Sequence, residues 1–108
     1  MDDINGYVKV PNTTKADIAF FYTGGTIKGS GIDSGDIVLI KTDEEIKDGD
    51  IVALSFCDNA YLRRIYHDKS SIILTADNPE YSPLYLSEEE MDYIHIIGKA
   101  VYVIKELK

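Results

Sequence analysis

The sequence predicts a mostly-β domain in which several short strands form a twisted, partly open barrel or sandwich with little helix. Short runs rich in Ile, Val and Tyr recur along the chain, and clusters of turn residues separate them. Helix signals are scarce by comparison. Many short, closely spaced strands are typical of sandwiches and partly open barrels. With 108 residues, the chain fits a single domain spanning residues 1–108.

Each strand is predicted from its apolar pattern and the turn residues around it. An uninterrupted apolar run such as Ile37–Ile40 predicts a strand covered on both faces, and the alternation in Tyr7–Val10 predicts a half-exposed one. Turns are predicted at Asp33–Asp36, Lys47–Asp50 and Cys57–Asn59. The eight predicted strands are Gly6–Val10, Ile18–Tyr22, Ile37–Lys41, Ile51–Phe56, Ala60–Tyr66, Ile72–Ala76, Pro83–Leu86 and Ile94–Ile104.

Two short segments carry a helical pattern. Ser87 is followed three residues later by Glu90, which is the capping-box spacing, and this predicts a single turn ending near Tyr93. A short helical turn is also compatible with Ile27–Gly31, although the glycines of that region disfavour a longer helix.

One short sequence occurs twice. Gly35-Asp36-Ile37-Val38 recurs fourteen residues later as Gly49-Asp50-Ile51-Val52. A true repeat would need more copies and a longer match. We therefore interpret the pair as two similar junctions in which a turn leads into a strand.

Composition excludes several classes of function. The net charge of −8 would repel nucleic-acid phosphates, so we expect that this chain does not bind DNA by itself. The acidic runs at residues 43–45 and 88–90 are expected to be solvated. No stretch approaches the roughly 20 apolar residues of a membrane helix, and the first residues lack the features of a secretory signal. No membrane association is expected.

Cysteine use is consistent with a reducing compartment. Cys57 is the only cysteine, so an internal disulfide and a cysteine-based zinc site are both excluded. A cytoplasmic location is expected, with no metal and no cofactor. Cys57 itself is interpreted as a small apolar residue near a strand end.

Five segments together resemble the LexA and phage-repressor peptidase family. The glycine-rich loop that begins at Gly24 leads through Asp33-Ser34-Gly35-Asp36 into an apolar strand, as in that family. The other segments that match, in order and with similar spacing, are Ala16–Phe21, Asn59–Tyr66, Leu74–Pro83 and Ile97–Ile104. The resemblance covers about Tyr7 to Ile104 and implies the fold of the LexA carboxy-terminal domain.

The resemblance also marks two catalytic positions, and both are changed. The nucleophilic Ser of the family falls on Thr26, and its general-base Lys falls on Arg63. A hydroxyl needs an adjacent base to become a nucleophile, whereas a guanidinium stays protonated at ordinary pH. The added methyl group of Thr also restricts its rotamers. His67 and His95 are interpreted as surface or packing residues, because no spacing supports a triad.

The role of Arg63 remains open between two interpretations. Arg63 could turn outward, or pair with an acid such as Asp17 or Asp58, as surface arginines commonly do. Alternatively, Arg63 could hold a carboxylate or phosphate together with the Thr26 hydroxyl and the glycine amides. The first interpretation is favoured.

The family resemblance implies a regulatory function. The expected function is a catalytically inactive dimerisation and regulatory domain of a LexA- or phage-repressor-like transcription regulator. It would be a homodimer that reaches DNA only through an amino-terminal helix-turn-helix domain absent from this chain. The segment Met1–Ala16 lacks the Ala-Gly pair at which family members cleave themselves, and Ile94–Ile104 could supply a strand edge or a dimer surface. The alternatives are an active self-cleaving peptidase with Thr26 as nucleophile and an unrelated small β-barrel.

Overall fold

The computed structural model describes residues 4–8, 16–24, 27, 30–76 and 82–105. They form eight strands and one short 3₁₀ helix. In chain order these are β1 (Ile4–Val8), β2 (Ile18–Tyr22), β3 (Ile37–Lys41), β4 (Ile51–Phe56), β5 (Asn59–Asp68), β6 (Ser71–Thr75), β7 (Leu84–Leu86), the 3₁₀ helix (Glu90–Tyr93) and β8 (Ile94–Ile104). The prediction of a mostly-β fold with little helix is confirmed.

All eight strands belong to one antiparallel sheet, in the order β1-β2-β3-β8-β4-β5-β6-β7. Four predicted ranges, those of β2, β3, β4 and β8, coincide with the observed strands. The first predicted strand, Gly6–Val10, is observed as Ile4–Val8, and the last two residues of the prediction lie outside the described part of the chain. β5 is longer than predicted, β6 lies one residue earlier at both ends, and β7 begins one residue later.

The last strand, β8, lies in the middle of the sheet. Its first half pairs with β4 through Ile94–Lys99, and its second half pairs with β3 through Lys99–Ile104. β8 is therefore a central strand of the sheet, although each half of it pairs on one side only among the described strands. The expectation that Ile94–Ile104 supplies a strand edge or a dimer surface stays a prediction. The register shifts once against each neighbour, as expected where a long strand changes partners by bulging.

A glycine permits the close approach of β8 to the end of β3. A Cβ atom added to Gly98 would lie 2.6 Å from the carbonyl oxygen of Lys41 and 2.8 Å from a methyl group of Ile40. No larger residue fits this position without movement of the backbone. Gly98 therefore lies at the point where β8 passes from β4 to β3.

Two apolar clusters flank the sheet. Ala53 and Leu62 face each other on one side, and their neighbours Val52 and Leu54 face the other, as strand alternation requires. We call the first cluster the first core (Phe20, Tyr22, Ile27, Ile32, Val38, Ile40, Ala53 and Leu62). The second core contains Val52, Leu54, Ile65, Leu74 and Leu86. Side chains on adjacent positions of β4 and β5 thus contact different cores.

The predicted capping box is present before the 3₁₀ helix. The Glu90 amide donates to Ser87 Oγ at 3.3 Å, and the Ser87 amide donates to the Glu90 carboxylate at 3.1 Å. The pair closes the turn that leads into Glu90–Tyr93, so the predicted end near Tyr93 is also confirmed.

The two acidic runs are solvated as predicted, and the turn predicted at Cys57–Asn59 is also present. Residues 43–45 and 88–90 are exposed. Cys57 and Asp58 form a two-residue hairpin turn with φ of 52° and 66°. Cys57 follows the end of β4 directly, as expected, but its side chain is exposed and therefore does not pack in the core.

Candidate active-site region

Strand β5 carries the position that the family resemblance assigns to the general base. Arg63 pairs in register with Val52 and therefore faces the second core, whereas Leu62 lies in the first core. Strand alternation sets this division, because neighbouring side chains of a strand point to opposite faces. The guanidinium of Arg63 is consequently directed toward the side of the sheet that holds Leu54 and Leu74.

Two contacts with described residues orient the Arg63 guanidinium. Its Nη1 donates to the carbonyl oxygen of Leu62 at 2.6 Å. Its central carbon lies 5.1 Å from the ring centroid of Tyr61, within the range of a cation–π contact. Arg63 is half-buried. These contacts hold a permanent positive charge beside an aromatic face.

Arg63 forms part of an open cleft on the second-core side of the sheet. The cleft has a volume of about 290 Å³ and opens beside the short strand β7. Its other lining residues are mostly apolar: Leu54, Phe56, Tyr61, Leu74, Ala76, Ser82, Leu84 and Ile94. The arrangement places one cation in an apolar depression.

The next residue, Arg64, contacts the loop that follows Thr26. Arg64 Nη2 donates to Ser30 Oγ at 3.0 Å, and its Nη1 donates to the Gly49 carbonyl oxygen at 2.6 Å. Because Arg64 lies on the opposite face of β5 from Arg63, it reaches the side of the first core. The sequence patterns did not identify Arg64, and the strand alternation Leu62-Arg63-Arg64 was the only local signal for its direction.

The loop around the nucleophile position is anchored by buried aliphatic residues. Thr26, the predicted catalytic residue, lies outside the described residues. The following residue, Ile27, is fully buried in the first core, and Ile32 is 5% exposed there. The Ser30 amide donates to the Ile27 carbonyl at 3.3 Å. Residues 28 and 29 of the predicted helical turn Ile27–Gly31 lie outside the described part of the chain. The loop is therefore held by packing as well as by Arg64.

The loop ends in a turn that is joined to the end of β8. The carboxylate of Asp36, which is 6% exposed, accepts from the Asp33 amide and from Lys105 Nζ, both at 2.7 Å. Lys105 also contacts the Asp33 carboxylate at 3.0 Å. The hydrogen bond to Asp36, followed by the one to Asp33, raises the pKa of Lys105 above its usual value.

Asp17 and Asp58, which were proposed as partners of Arg63, have other contacts or positions in the structure. Asp17 Oδ2 accepts from the Thr42 amide at 2.8 Å and from the Thr42 hydroxyl at 3.0 Å. These bonds, the backbone one first, lower the pKa of Asp17. Asp58 lies in the β4–β5 turn. Arg63 does not simply turn outward, since it lines the cleft.

The two histidines lie in strands. His95 pairs with Ser55 in β8, as predicted. His67 belongs to β5, which continues to Asp68, beyond the predicted strand end at Tyr66. The His67 ring nitrogen Nδ1 lies 2.8 Å from Asp48 Oδ1, and the His67 amide donates to the same oxygen at 2.9 Å. Both histidines are exposed.

Two features are absent from the described ranges of the chain. Within them, His, Cys, Asp and Glu side chains form no group of three or more that could hold a metal ion. In the same part of the chain, no helix has the length and apolar character needed to cross a membrane.

The fold and the loop define a class of protein: the peptidase-like carboxy-terminal domain of LexA-type repressors. A family model described as Peptidase S24-like matches residues 1–101. The chain belongs to that family.

Individual relatives agree with this assignment. The chain is 29% identical to the LexA repressor of Vibrio atlanticus and 32% identical to that of Ectopseudomonas mendocina, in each case over 91 residues. These matches cover 84% of this chain and 44% of each relative. It is 30% identical to the LexA repressor of Geotalea uraniireducens over 111 residues, which covers all of this chain and 55% of the relative. The chain thus spans about half the length of these relatives.

Proposed function

We propose that residues 1–108 form one domain, the dimerisation and regulatory domain of a LexA-like repressor, and that this domain does not cleave peptide bonds. The observation that carries the proposal is Arg63 at the position that the resemblance assigns to the general base. The named relatives are LexA repressors, which supports a role in repression. We further propose that the domain acts in the cytoplasm and that any DNA contact is made by a separate helix-turn-helix domain.

The inactivity follows from the chemistry of Arg63. A hydroxyl nucleophile needs a neighbouring group that accepts its proton, and a guanidinium, which stays protonated at any ordinary pH, cannot accept one. The contacts of Arg63 with Leu62 O and the Tyr61 ring further stabilise the charged group.

Self-cleavage at alkaline pH tests the proposed inactivity. The full-length protein that contains this chain would be incubated at about pH 10, where a normal lysine begins to lose its proton, and its mass followed over time. We expect no cleavage in the native protein and none in Thr26→Ala. Arg63→Lys is the matched variant, because a lysine, unlike an arginine, can lose its proton and then accept one from the Thr26 hydroxyl. Cleavage of the native protein that disappears in Thr26→Ala would contradict the proposal and favour a Thr26 peptidase.

The proposed dimer surface lies at the end of β8. Tyr102, Val103 and Ile104 are 58%, 37% and 38% exposed, so apolar area is accessible on both faces of the strand. Among the described strands, none pairs with the edge of Ala100–Ile104 that faces away from β3. An edge of this kind can pair with the same edge of a second copy about a two-fold axis.

Analytical ultracentrifugation tests this surface. We expect the native chain to sediment as a concentration-dependent dimer. Tyr102→Glu should shift it toward monomer, because a charge would then enter the interface. Tyr93→Glu is the matched control, since Tyr93 is 73% exposed and lies outside β8. A monomeric native chain at high concentration, or equal effects of the two variants, would refute the β8 interface.

A further inference from the structure

A second open groove is bordered by the β4–β5 turn and by the 3₁₀ helix, and we call it the hairpin groove. Its volume is about 810 Å³, within the range of roughly 300–1,000 Å³ that is typical of ligand sites. The described residues that line it come from two stretches, 55–60 and 92–97, and neither stretch has a gap. A groove of this size suits a short peptide segment better than a single ion.

The hairpin groove borders a strand edge that has no partner among the described strands. Ile94, His95 and Ile97 line the groove and belong to the half of β8 that pairs with β4. β3 pairs with β8 only from Lys99 onward, so no described strand occupies the other edge of Ile94–Ile97. An edge of this kind can pair through its backbone N–H and C=O groups with an extended segment. The edge therefore favours a peptide that adds as a strand.

The charge of the hairpin groove is negative. Asp58 comes from the β4–β5 turn and Asp92 from the 3₁₀ helix, and no lysine or arginine is among the described lining residues. Because Phe56 and Ile94 pair in register, the two aspartates, each two residues beyond this pair, lie at the same end of the sheet. Both are exposed, and neither carboxylate has a hydrogen bond or ion pair with a described residue. The groove is thus complementary to a basic partner.

Aromatic side chains beside the carboxylates favour arginine as the basic group. Phe56 and Tyr93 line the groove and are 39% and 73% exposed. A guanidinium binds a carboxylate through two parallel N–H donors and also stacks on an aromatic face. Ala60 and Ile97, which pack against the first core, add apolar surface to the lining. Arginines that alternate with apolar residues match this combination.

We propose that the hairpin groove binds an extended basic segment of a partner protein, which adds as a strand to the edge of Ile94–Ile97. Arginines at alternate positions lie on one side of such a segment, since successive side chains of a strand point to opposite faces, and this side faces Asp58 and Asp92. A second copy of this chain is disfavoured as the occupant, because each copy carries a net charge of −8. The proposal depends neither on dimerisation nor on the absence of peptidase activity.

Binding of a synthetic peptide tests the proposal. The intact, isotope-labelled chain would be titrated with acetyl-Val-Arg-Val-Arg-Val-amide while its amide resonances are followed by NMR. We expect saturable shifts at His95 and Ile97 and a dissociation constant on the order of 1 mM. Binding should weaken at least about threefold as NaCl rises from about 50 to about 500 mM, because salt screens exposed charges. The same peptide with Glu in place of both arginines should not bind.

Two methylated peptides test strand addition separately from charge. One is N-methylated at its valines and the other at its arginines, so each loses the N–H donors of one edge. We expect one of the two to bind at least about fivefold more weakly than the parent peptide, because only one edge of the added strand faces β8.

Variants of the chain locate the binding site. Asp58→Asn and Asp92→Asn should each weaken binding of the arginine peptide about fivefold, because each removes one charge-assisted partner. Asn also tolerates the φ of 66° at Asp58, so this variant should fold normally. Asp68→Asn is the matched control, since it removes the same charge from an exposed residue of β5 outside the lining and should leave affinity unchanged.

Four results would overturn the proposal. The first is no saturable binding of the arginine peptide up to about 10 mM. The second is equal weakening by Asp58→Asn, Asp92→Asn and Asp68→Asn, which would show diffuse attraction to an acidic protein. The third is equal affinity of the parent and both methylated peptides, which would exclude strand addition. The fourth is shifts at His95 and Ile97 that grow with protein concentration in the absence of peptide, which would assign the groove to a second copy.

Discussion

The turn before β3 and the turn before β4 repeat the same backbone contacts. We call Asp33–Asp36 the first turn and Lys47–Asp50 the second turn. In each turn, the final aspartate accepts through Oδ2 from the amide three residues earlier, at 2.7 Å in the first turn and 2.8 Å in the second. The aspartate amide donates back to the carbonyl of that residue at 3.1 and 3.0 Å. The two copies of Gly-Asp-Ile-Val are therefore preceded by turns with the same hydrogen-bonding pattern.

The two turns also join neighbouring strands in the same way. The Gly35 amide donates to Tyr22 O, and the Gly49 amide donates to Ile65 O, both at 2.7 Å. The amides of the same two strand residues donate back to the carbonyls of the turn aspartates at 2.8 and 2.9 Å. The interpretation of the repeated Gly-Asp-Ile-Val sequence as two similar turn-into-strand junctions is confirmed, because the same backbone atoms form the same hydrogen bonds in both turns.

The side chains outside the shared pattern differ between the turns. Asp36 is 6% exposed and lies 2.7 Å from Lys105 Nζ, whereas the Asp50 side chain is 21% exposed and lies 3.4 Å from Lys99 Nζ. The first turn is thus joined closely to the end of β8. Asp48 connects the second turn to His67 instead. The common motif forms the turn, and the residues around it decide which electrostatic contacts stabilise it.

Replacement of the turn aspartates should give the largest difference between the turns. Asp36→Ala leaves the Asp33 amide and Lys105 without the carboxylate they contact, and it should lower the free energy of unfolding by about 2 kcal/mol. Asp50→Ala should cost about 1 kcal/mol, because Asp50 is more exposed and its lysine is more distant. Urea unfolding measures both. Equal losses would mean that burial and the lysine contact add nothing to the shared backbone pattern.

The glycines should respond alike, with a smaller effect. Gly35 has a φ of 97° and Gly49 a φ of 91°, a conformation that alanine adopts only with strain. A Cβ atom would meet nothing within 4 Å at Gly35 and only Tyr66 Cε1 at 3.9 Å at Gly49. Each alanine variant should therefore lose about 1 kcal/mol of stability, through backbone strain alone. A difference well above the error of urea unfolding would show that the two turns are not equivalent.

Sequence patterns predicted the local structure well because that structure depends on short-range rules. Turn residues and apolar runs set the bounds of β3 and β4, and the Ser87–Glu90 spacing identified a capped turn. The position of β8 in the sheet depends on pairing with β3 and β4, which local patterns do not encode.

The candidate site was harder to predict because its contacts are long-range. Alternation along β5 places Arg63 and Arg64 on opposite faces, but it does not say which face has the cleft. The Arg64–Ser30 bond joins residues 34 positions apart, and no local pattern predicts it. The roles of Thr26 and Arg63 stay predictions from the family resemblance.

The smallest expected effect is a difference in pH dependence between the turns. In the first turn, the hydrogen bond to Asp36 raises the pKa of Lys105, so its contribution is fully present below the unfolded value of about 10.5 and is lost as pH rises through the folded pKa. In the second turn, the hydrogen bond to His67 lowers the pKa of Asp48. That contribution is present above about pH 3.9 and is lost as pH falls through the folded pKa.

Two variants with uncharged side chains should each remove the contribution of one turn to the pH dependence of stability. Thermal unfolding would be followed from about pH 3 to about pH 11, an interval that includes the ordinary pKa of an aspartate and that of a lysine. Lys105→Gln should reduce the loss of stability on the alkaline side of the profile, whereas Asp48→Asn should reduce the loss on the acidic side. Both effects should be small and should shrink in high salt, because Lys105, Asp48 and His67 are exposed to solvent and their charges are screened. If Asp48→Asn altered the alkaline side of the profile, the two turns would be electrostatically coupled rather than independent.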